Sequence, residues 1–202
     1  GGELFKKHYI LLNESMLLLI VDIETTGTNP NHDRALELGA ILYSVEDHSS
    51  IAQIATLIPS PINPVESINH IKPTATQKVS STYKQALKLF SAYAEVSDYL
   101  IAHNSDFDSQ WLGKYEIPRN NKPWLCTAKD FEWSKIKQKR VSLKRLAYSY
   151  GVIMPQQHRA LSDCQVIASV FDQVKPLYEM IQQAIIRHQN RLLEVREFSE
   201  LT

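Results

Sequence analysis

Two carboxylates lie close together at the end of an apolar segment. Residues 17–27 read LLLIVDIETTG, and one residue separates Asp22 from Glu24. Alternate side chains of a β-strand point to the same face, so both acids share a face with Leu18 and Ile20. The spacing indicates either a strand that ends in solvent or a site where two acids act together.

A second segment, residues 103–112, reads HNSDFDSQWL and contains two more aspartates. Asp108 has helical spacing with Trp111 and Leu112, on a face that is otherwise apolar. Asp106 falls among polar residues, where a solvated side chain or a helix N-cap is expected. We therefore expect Asp108 to point inward, although a capping role would also explain it.

A third segment, residues 158–171, reads HRALSDCQVIASVF, and Asp163 is the only charge on its apolar helical stripe. A lone ionised carboxylate in an apolar setting is costly unless it is paired or neutralised. An ion pair with Arg159 or Arg145 would be an ordinary explanation.

Four carboxylates thus stand where buried apolar side chains are expected, namely Asp22, Glu24, Asp108 and Asp163. A single cluster of bound cations would explain all four. Carboxylate oxygens are hard ligands that suit Mg²⁺ or Mn²⁺. The two cysteines, Cys126 and Cys164, show no zinc-binding spacing, and reduced thiols in the cytoplasm are expected.

Length and composition are those of an ordinary globular protein of 202 residues with 22 basic and 22 acidic side chains. Nucleic-acid affinity must therefore come from a local patch rather than from net charge. The apolar runs are too short to span a membrane. We expect an N-terminal extension or cloning remnant at 1–15, one catalytic domain at 16–176 and a C-terminal amphipathic helix at 177–202.

The elements that must position these acids follow an α/β pattern. Strands are predicted at 17–24, 35–44, 50–57, 99–102 and about 124–127, and helices at 83–96, from about 107, at 142–150, from 160 and at 177–198. The proline-rich residues 59–78 are predicted to be a long surface loop. The C-terminal helix either docks on the domain or contacts a partner.

The three acidic segments resemble the motifs of one known family. DIETTG, HNSDFD and HRALSD, the last with His and Asp five residues apart, are similar to the three motifs of the DnaQ-like (DEDDh) 3′→5′ exonucleases. The resemblance covers about residues 17–174, and SLKRLAYSYGV is similar to the helix that precedes the third motif. It implies a ribonuclease H-like α/β fold with a five-stranded mixed sheet flanked by helices.

The resemblance also implies roles for five residues. Asp22, Glu24, Asp108 and Asp163 would hold two Mg²⁺ or Mn²⁺ ions, and His158 would be the general base. The implied substrates are the 3′ ends of single-stranded nucleic acid, and the products are nucleoside 5′-monophosphates.

Substrate contacts are expected beside these motifs. The loop sequence INHIKPTATQKV, residues 68–79, departs from the His-Gly-Ile-Thr-like stretch of relatives, and the run KIKQKRVSLKR, residues 135–145, holds six basic residues and no acidic one. A basic run can follow a phosphate backbone, although a solvated surface is the ordinary explanation. The candidate contacts are Thr25, Thr26, Ile71, His103, Asn104, Lys139 and Arg140.

Three functions remain open at this point. The leading one is an exonuclease with DNA favoured over RNA, and the second is an exoribonuclease that trims RNA or short oligoribonucleotides. The third is a non-catalytic module that holds a nucleic-acid end, a polymerase or a second copy through the C-terminal helix.

Overall fold

A five-stranded mixed sheet forms the centre of the protein. The computed structural model describes residues 15–138, 140–154 and 158–200, with side chains up to residue 196. The strand order is β3-β2-β1-β4-β5, in which β1 pairs with β2 and β2 with β3 antiparallel, whereas β1–β4 and β4–β5 are parallel. The strands are β1 (Leu17–Thr25), β2 (Ala35–Ser44), β3 (Ser49–Leu57), β4 (Tyr99–Ala102) and β5 (Trp124–Cys126). The predicted sheet is confirmed.

Helices cover both faces of this sheet. They are α1 (Glu66–Asn69), α2 (Pro73–Gln77), α3 (Tyr83–Val96), α4 (Ser105–Asp108), α5 (Leu143–Ser149), α6 (Ala160–Asp172) and α7 (Leu177–Glu200), with a 3₁₀ turn at Ser109–Trp111. Leu19 and Val21 of β1 pack in the core that α3 covers, whereas Leu18 and Ile20 pack in the core that α5, α6 and α7 cover. All four are fully buried, which is why β1 is a continuous apolar run rather than an alternating one.

The region after β3 is more ordered than its prolines suggest, and the prediction of a plain surface loop was wrong. It contains α1 and α2, and four of its polar residues are buried, namely Ser60, Asn63, Asn69 and Thr76. The amide nitrogen of Asn63 donates to Asn69 Oδ1 at 2.8 Å and to the Ile71 carbonyl at 2.7 Å. Thr76 Oγ1 donates to the Ser60 carbonyl at 3.0 Å. These side-chain bonds satisfy the backbone and order the segment without a sheet.

The C-terminal helix α7 is docked at its beginning and exposed near its end. Leu177, Ile181 and Ala184 are fully buried in the core, whereas Leu192 and Leu193 are 46% and 56% exposed. The predicted apolar stripe is therefore covered only along its first half. No helix in the described ranges is long and apolar enough to cross a membrane. Residues 1–14 of the predicted extension, and Lys139, lie outside the described residues.

Candidate active site

The parallel pairing of β1 and β4 brings two acidic segments to one edge of the sheet. Parallel neighbours have their carboxyl ends on the same side, and that edge is where α/β proteins build their sites. Asp22 and Glu24 lie near the end of β1 and are half-buried. Helix α4 follows β4 after two residues and carries Asp108 beside them.

Asp108 points inward and Asp106 points outward, as the helical spacing indicates. The Asp108 carboxylate is 2% exposed and accepts a hydrogen bond from the Ile23 backbone N–H at 3.1 Å, between the two acids of β1. The exposed Asp106 instead forms an ion pair with Lys129. One aspartate thus joins the acidic cluster, and the other forms a surface contact.

Asp163 reaches the same place from the opposite layer. It lies in the first turn of α6 and is 8% exposed, and its Oδ1 atom has no hydrogen-bond partner. Ligand atoms of Glu24, His158 and Asp163 all lie within 4.8 Å of one another. His158 is exposed and adopts a left-handed backbone conformation with φ of 60°, which is uncommon for a residue other than glycine. The geometry therefore gathers Glu24, His158 and Asp163 tightly.

Burial makes these carboxyl groups reluctant to ionise. It raises the pKa of Glu24 to about 7, with the charge of Asp163 adding to the effect. It raises the pKa of Asp163 to about 6, an effect that the neighbouring His158 opposes. The pKa of Asp22 is raised well above its usual range by burial first and then by the charge of Asp108. The pKa of Asp108 rises to about 8, again through burial, although the Ile23 N–H lowers it.

This cluster has the donor chemistry of a hard-cation site. It offers carboxylate oxygens that repel one another, and one buried oxygen of Asp163 has no partner. A divalent cation would offset the repulsion between the carboxylates and would bind the unpartnered Oδ1 atom of Asp163. The ordinary explanation for Asp163, an ion pair with Arg159, does not hold, because Arg159 binds the carboxylate of Glu37 instead.

The candidate contacts Thr25, Thr26 and Ile71 are used within the fold. Thr25 Oγ1 donates to the Gly27 carbonyl at 2.6 Å, and Thr26 Oγ1 accepts from the Arg34 N–H at 2.9 Å, which closes the turn after β1. The side chain of Ile71 is 3% exposed. Their role in binding substrate stays a prediction.

His103, Asn104 and Arg140 line one cleft of about 440 Å³. His103 Nδ1 lies 2.9 Å from Thr127 Oγ1. Burial, with a contribution from the charge of Arg140, lowers the pKa of His103 to about 4, so this ring is neutral at working pH. Arg140 is exposed at the cleft and supplies a positive charge there. The predicted contact Lys139 lies outside the described residues.

Two residues beside the acids were not among the predicted site residues, although Asn69 lies in the loop 68–79 that departs from relatives. Asn69 is 1% exposed, and its amide nitrogen lies 3.5 Å from the Thr25 carbonyl, which ties the loop after β3 to the end of β1. Glu37 is 3% exposed in β2. A charge inside an otherwise apolar strand was the available signal for Glu37, and the departure of the loop 68–79 from relatives was the signal for Asn69.

Known proteins resemble this chain in both sequence and fold. A DNA polymerase III PolC-type from Thermotoga petrophila is 27% identical over 165 residues, which are 78% of this chain and 12% of that protein. A DNA polymerase III subunit epsilon from Treponema pallidum is 27% identical over 176 residues, which are 79% of this chain and 77% of that protein. The chain thus spans about an eighth of the PolC-type relative.

The fold matches that of a solved DEDDh nuclease. The nuclease domain of 3′hExo, a DEDDh family member bound to rAMP, superposes with a TM-score of 0.62 at 19% identity, over 83% of this chain and 92% of that domain. The predicted ribonuclease H-like fold and the resemblance to DEDDh exonucleases are confirmed. The exonuclease family model RNase_T matches residues 19–171, and the chain therefore belongs to this exonuclease family.

Proposed function

We propose that this chain is a metal-dependent 3′→5′ exonuclease that releases nucleoside 5′-monophosphates from single-stranded nucleic acid, with DNA favoured. The observation that carries the proposal is the acidic cluster, in which ligand atoms of Glu24, His158 and Asp163 lie within 4.8 Å of one another and the buried Asp108 binds the Ile23 N–H between Asp22 and Glu24. Burying several carboxylates side by side destabilises the folded state. Ionisable groups whose pKa values are shifted in this way concentrate at functional sites.

Asp22, Glu24, Asp108 and Asp163 are the residues that would hold two Mg²⁺ or Mn²⁺ ions. When bound, such ions supply charge stabilisation for the attacking and leaving oxygens of a phosphoryl displacement. The half-buried Asp22 and Glu24 present oxygens from the sheet edge, and the orphaned Asp163 Oδ1 presents one from α6.

His158 is the proposed general base. Its ring lies beside Glu24 and Asp163, and its exposed position leaves room for water and substrate. It takes the proton of the attacking water while the bond from phosphorus to the 3′-oxygen breaks, and that oxygen gains a proton as it leaves. The two nearby carboxylates stabilise the imidazolium that forms.

The preference for DNA rests on the relatives, since two of them are named as DNA polymerase III chains. The 3′hExo domain, bound to a ribonucleotide, favours the second candidate, an exoribonuclease. A non-catalytic module is disfavoured because each motif retains its acidic residues. The cleft beside His103 and Arg140 is the proposed path of the strand.

The exposed end of α7 is the proposed contact for a polymerase chain. Ile186, Leu193 and Val195 are 49%, 56% and 62% exposed there, and such apolar side chains suit a protein interface. Size-exclusion chromatography of the chain alone separates this proposal from self-association, which would give a concentration-dependent dimer.

The test is digestion of 3′-labelled and 5′-labelled single-stranded DNA and RNA of matched sequence. We expect Mg²⁺ or Mn²⁺ to support stepwise shortening from the 3′ end with release of 5′-monophosphates, and a chelator to stop it. Faster cleavage of DNA supports the leading function, and faster cleavage of RNA supports the second. Binding without cleavage under every divalent ion would leave the non-catalytic module.

A further inference from the structure

Glu37 is a buried carboxylate that the acidic cluster does not include. It lies on β2 directly across from Glu24 in the antiparallel pairing of β1 and β2. Its side chain is 3% exposed, and an unpaired charge at this depth would be costly. Its partners therefore decide what it does.

Those partners belong to the segment that joins His158 to α6. The Arg159 guanidinium donates to Glu37 through Nε at 3.0 Å and through Nη2 at 2.6 Å, in a bidentate pair. The backbone N–H of Ala160, the first residue of α6, donates to Glu37 Oε2 at 2.9 Å. One carboxylate thus holds the residue after His158 and one free N–H at the start of the helix that carries Asp163.

Gly39 is a second residue of β2 that fixes the first turn of α6. Gly39 lies across from Asp22, and a Cβ atom at this position would lie only 2.4 Å from the Ala160 carbonyl carbon and the Leu161 nitrogen. The first turn of α6 therefore rests directly on the backbone of β2. Gly39 sets how closely the helix approaches, and Glu37 sets where its first residue is held.

We propose that Glu37 and Arg159 are positioning residues that hold His158 and Asp163 against Asp22 and Glu24. The inference rests on the proposed function and adds two residues that act through others. The bidentate pair also keeps the buried Glu37 carboxylate matched with a positive charge beside the cluster.

The test compares Glu37→Gln, Arg159→Gln and their double variant with the matched surface control Glu46→Gln. We expect kcat to fall about 10–100-fold in Glu37→Gln, the range seen when groups that orient metal ligands are removed. The KM for the oligonucleotide should stay within about threefold, because neither residue lies in the cleft beside His103. Arg159→Gln and the double variant should resemble Glu37→Gln, since the two residues act as a unit.

A readout that needs no turnover is the thermal stabilisation by Mn²⁺ after chelator treatment. The Mn²⁺ concentration at half-maximal stabilisation should rise severalfold in Glu37→Gln and stay unchanged in Glu46→Gln. Lower stability with unchanged kcat and unchanged Mn²⁺ midpoint would reduce the pair to a structural contact and overturn the inference. If Glu37→Gln does not fold, Arg159→Lys, which keeps the charge but not the fork, replaces it with the same expectations.

The two proposals fail in different ways. A wild-type protein without nuclease activity under any divalent ion contradicts the proposed function, and the Mn²⁺ midpoints then still decide whether Glu37 positions the site. An active wild-type protein whose Glu37→Gln variant keeps full kcat contradicts the positioning role alone.

Discussion

Asp108 and Asp130 both follow strands in the parallel half of the sheet, and their side chains are similarly buried, at 2% and 0% exposure. Their surroundings differ. Asp130 is surrounded by donors and cations, whereas Asp108 lies among other acids. The comparison separates a carboxylate that holds the fold together from one that the fold holds in an unfavourable place.

Asp130 is satisfied by groups of the same chain. Its carboxylate accepts from the Cys126 backbone N–H at 2.7 Å and from Arg191 Nε at 3.0 Å, and His188 Nδ1 lies 3.0 Å away. Arg187 adds a bond to the Asp130 carbonyl at 3.2 Å. Three basic side chains of α7 thus converge on the loop after β5, and Asp130 anchors the C-terminal helix.

Asp108 receives the Ile23 N–H at 3.1 Å, but the charges of Glu24 and Asp163 oppose its ionisation. No cation of the chain takes the place that Arg191 takes at Asp130, as far as the described residues show. A buried acid with its own cations thus stabilises the fold, and a buried cluster without them is a site for an external cation.

The largest expected effect is on activity at the unsatisfied cluster. Asp108→Asn keeps the acceptor for the Ile23 N–H but removes a metal ligand, so hydrolysis should fall by about 10³-fold or more. Asp106→Asn is the matched control, because the exposed Asp106 forms surface ion pairs with Lys129 and Arg191, and its activity should stay within about twofold of wild type. Steady-state digestion of a 3′-labelled oligonucleotide measures both. An equal loss of hydrolysis in both variants would contradict the assignment of Asp108 to the inward face and Asp106 to the outward face.

The next effect is on stability at the satisfied centre. Asp130→Asn removes the charge that pairs with Arg191 and His188, and unfolding free energy should fall by about 2–3 kcal/mol. Both partners are partly exposed, at 29% and 18%, which keeps the loss below that of a fully buried pair. Urea unfolding measures the change. Activity per folded molecule should stay near the wild-type value, the reverse of the pattern for Asp108→Asn.

The smallest effect is the pH dependence of the metal-free protein. The pKa values of Glu24, Asp108 and Asp163 are raised to about 7, 8 and 6, so the folded state binds more protons than the unfolded state above pH ~4. Stability contributed by the protonated groups is complete below that pH and is lost as pH rises through these values. The melting temperature of the metal-free protein should therefore fall as pH rises from 5 to 8.

Metal and mutation should both remove that slope. Mg²⁺ or Mn²⁺ at pH 8 should restore the melting temperature, because it binds only the folded carboxylates. Asp108→Asn should make the melting temperature less dependent on pH. Asp130→Asn should instead lower the melting temperature by a similar amount at every pH. A metal-free protein whose stability rises across this range would contradict the account of the cluster.

Periodicity predicted the elements well where local pattern decides the outcome. The bounds predicted for β2 and α3 agree with the structure, because β2 is a continuous buried run and a regular 3.6-residue stripe runs through α3. The inward and outward positions of Asp108 and Asp106 follow from the same spacing, although the helix predicted from about residue 107 is in fact the short α4, which ends at Asp108, and a 3₁₀ turn at Ser109–Trp111. The loop after β3 was predicted poorly, because its order comes from side chains such as Asn63 and Thr76 that bond the backbone.

Contacts between distant segments lay beyond this kind of reasoning. Arg159 and Glu37 are 122 positions apart, and the sequence offered Asp163 as a nearer partner for the arginine. Asp130, Arg191 and His188 carry no motif at all, and only the packing of α7 against the end of β5 brings them together. Charge type and spacing therefore indicate a metal site, whereas the neutralising partners of other acids depend on the tertiary fold.

Anomalous diffraction from crystals soaked with Mn²⁺ at pH 8 tests the central claim most directly. The account predicts an anomalous peak bonded to the carboxylates of Asp22, Glu24 and Asp163, with Asp108 beside it, and no peak at Asp130. Manganese that occupies other positions while these four acids stay without an ion, in a protein that still digests DNA, would contradict it.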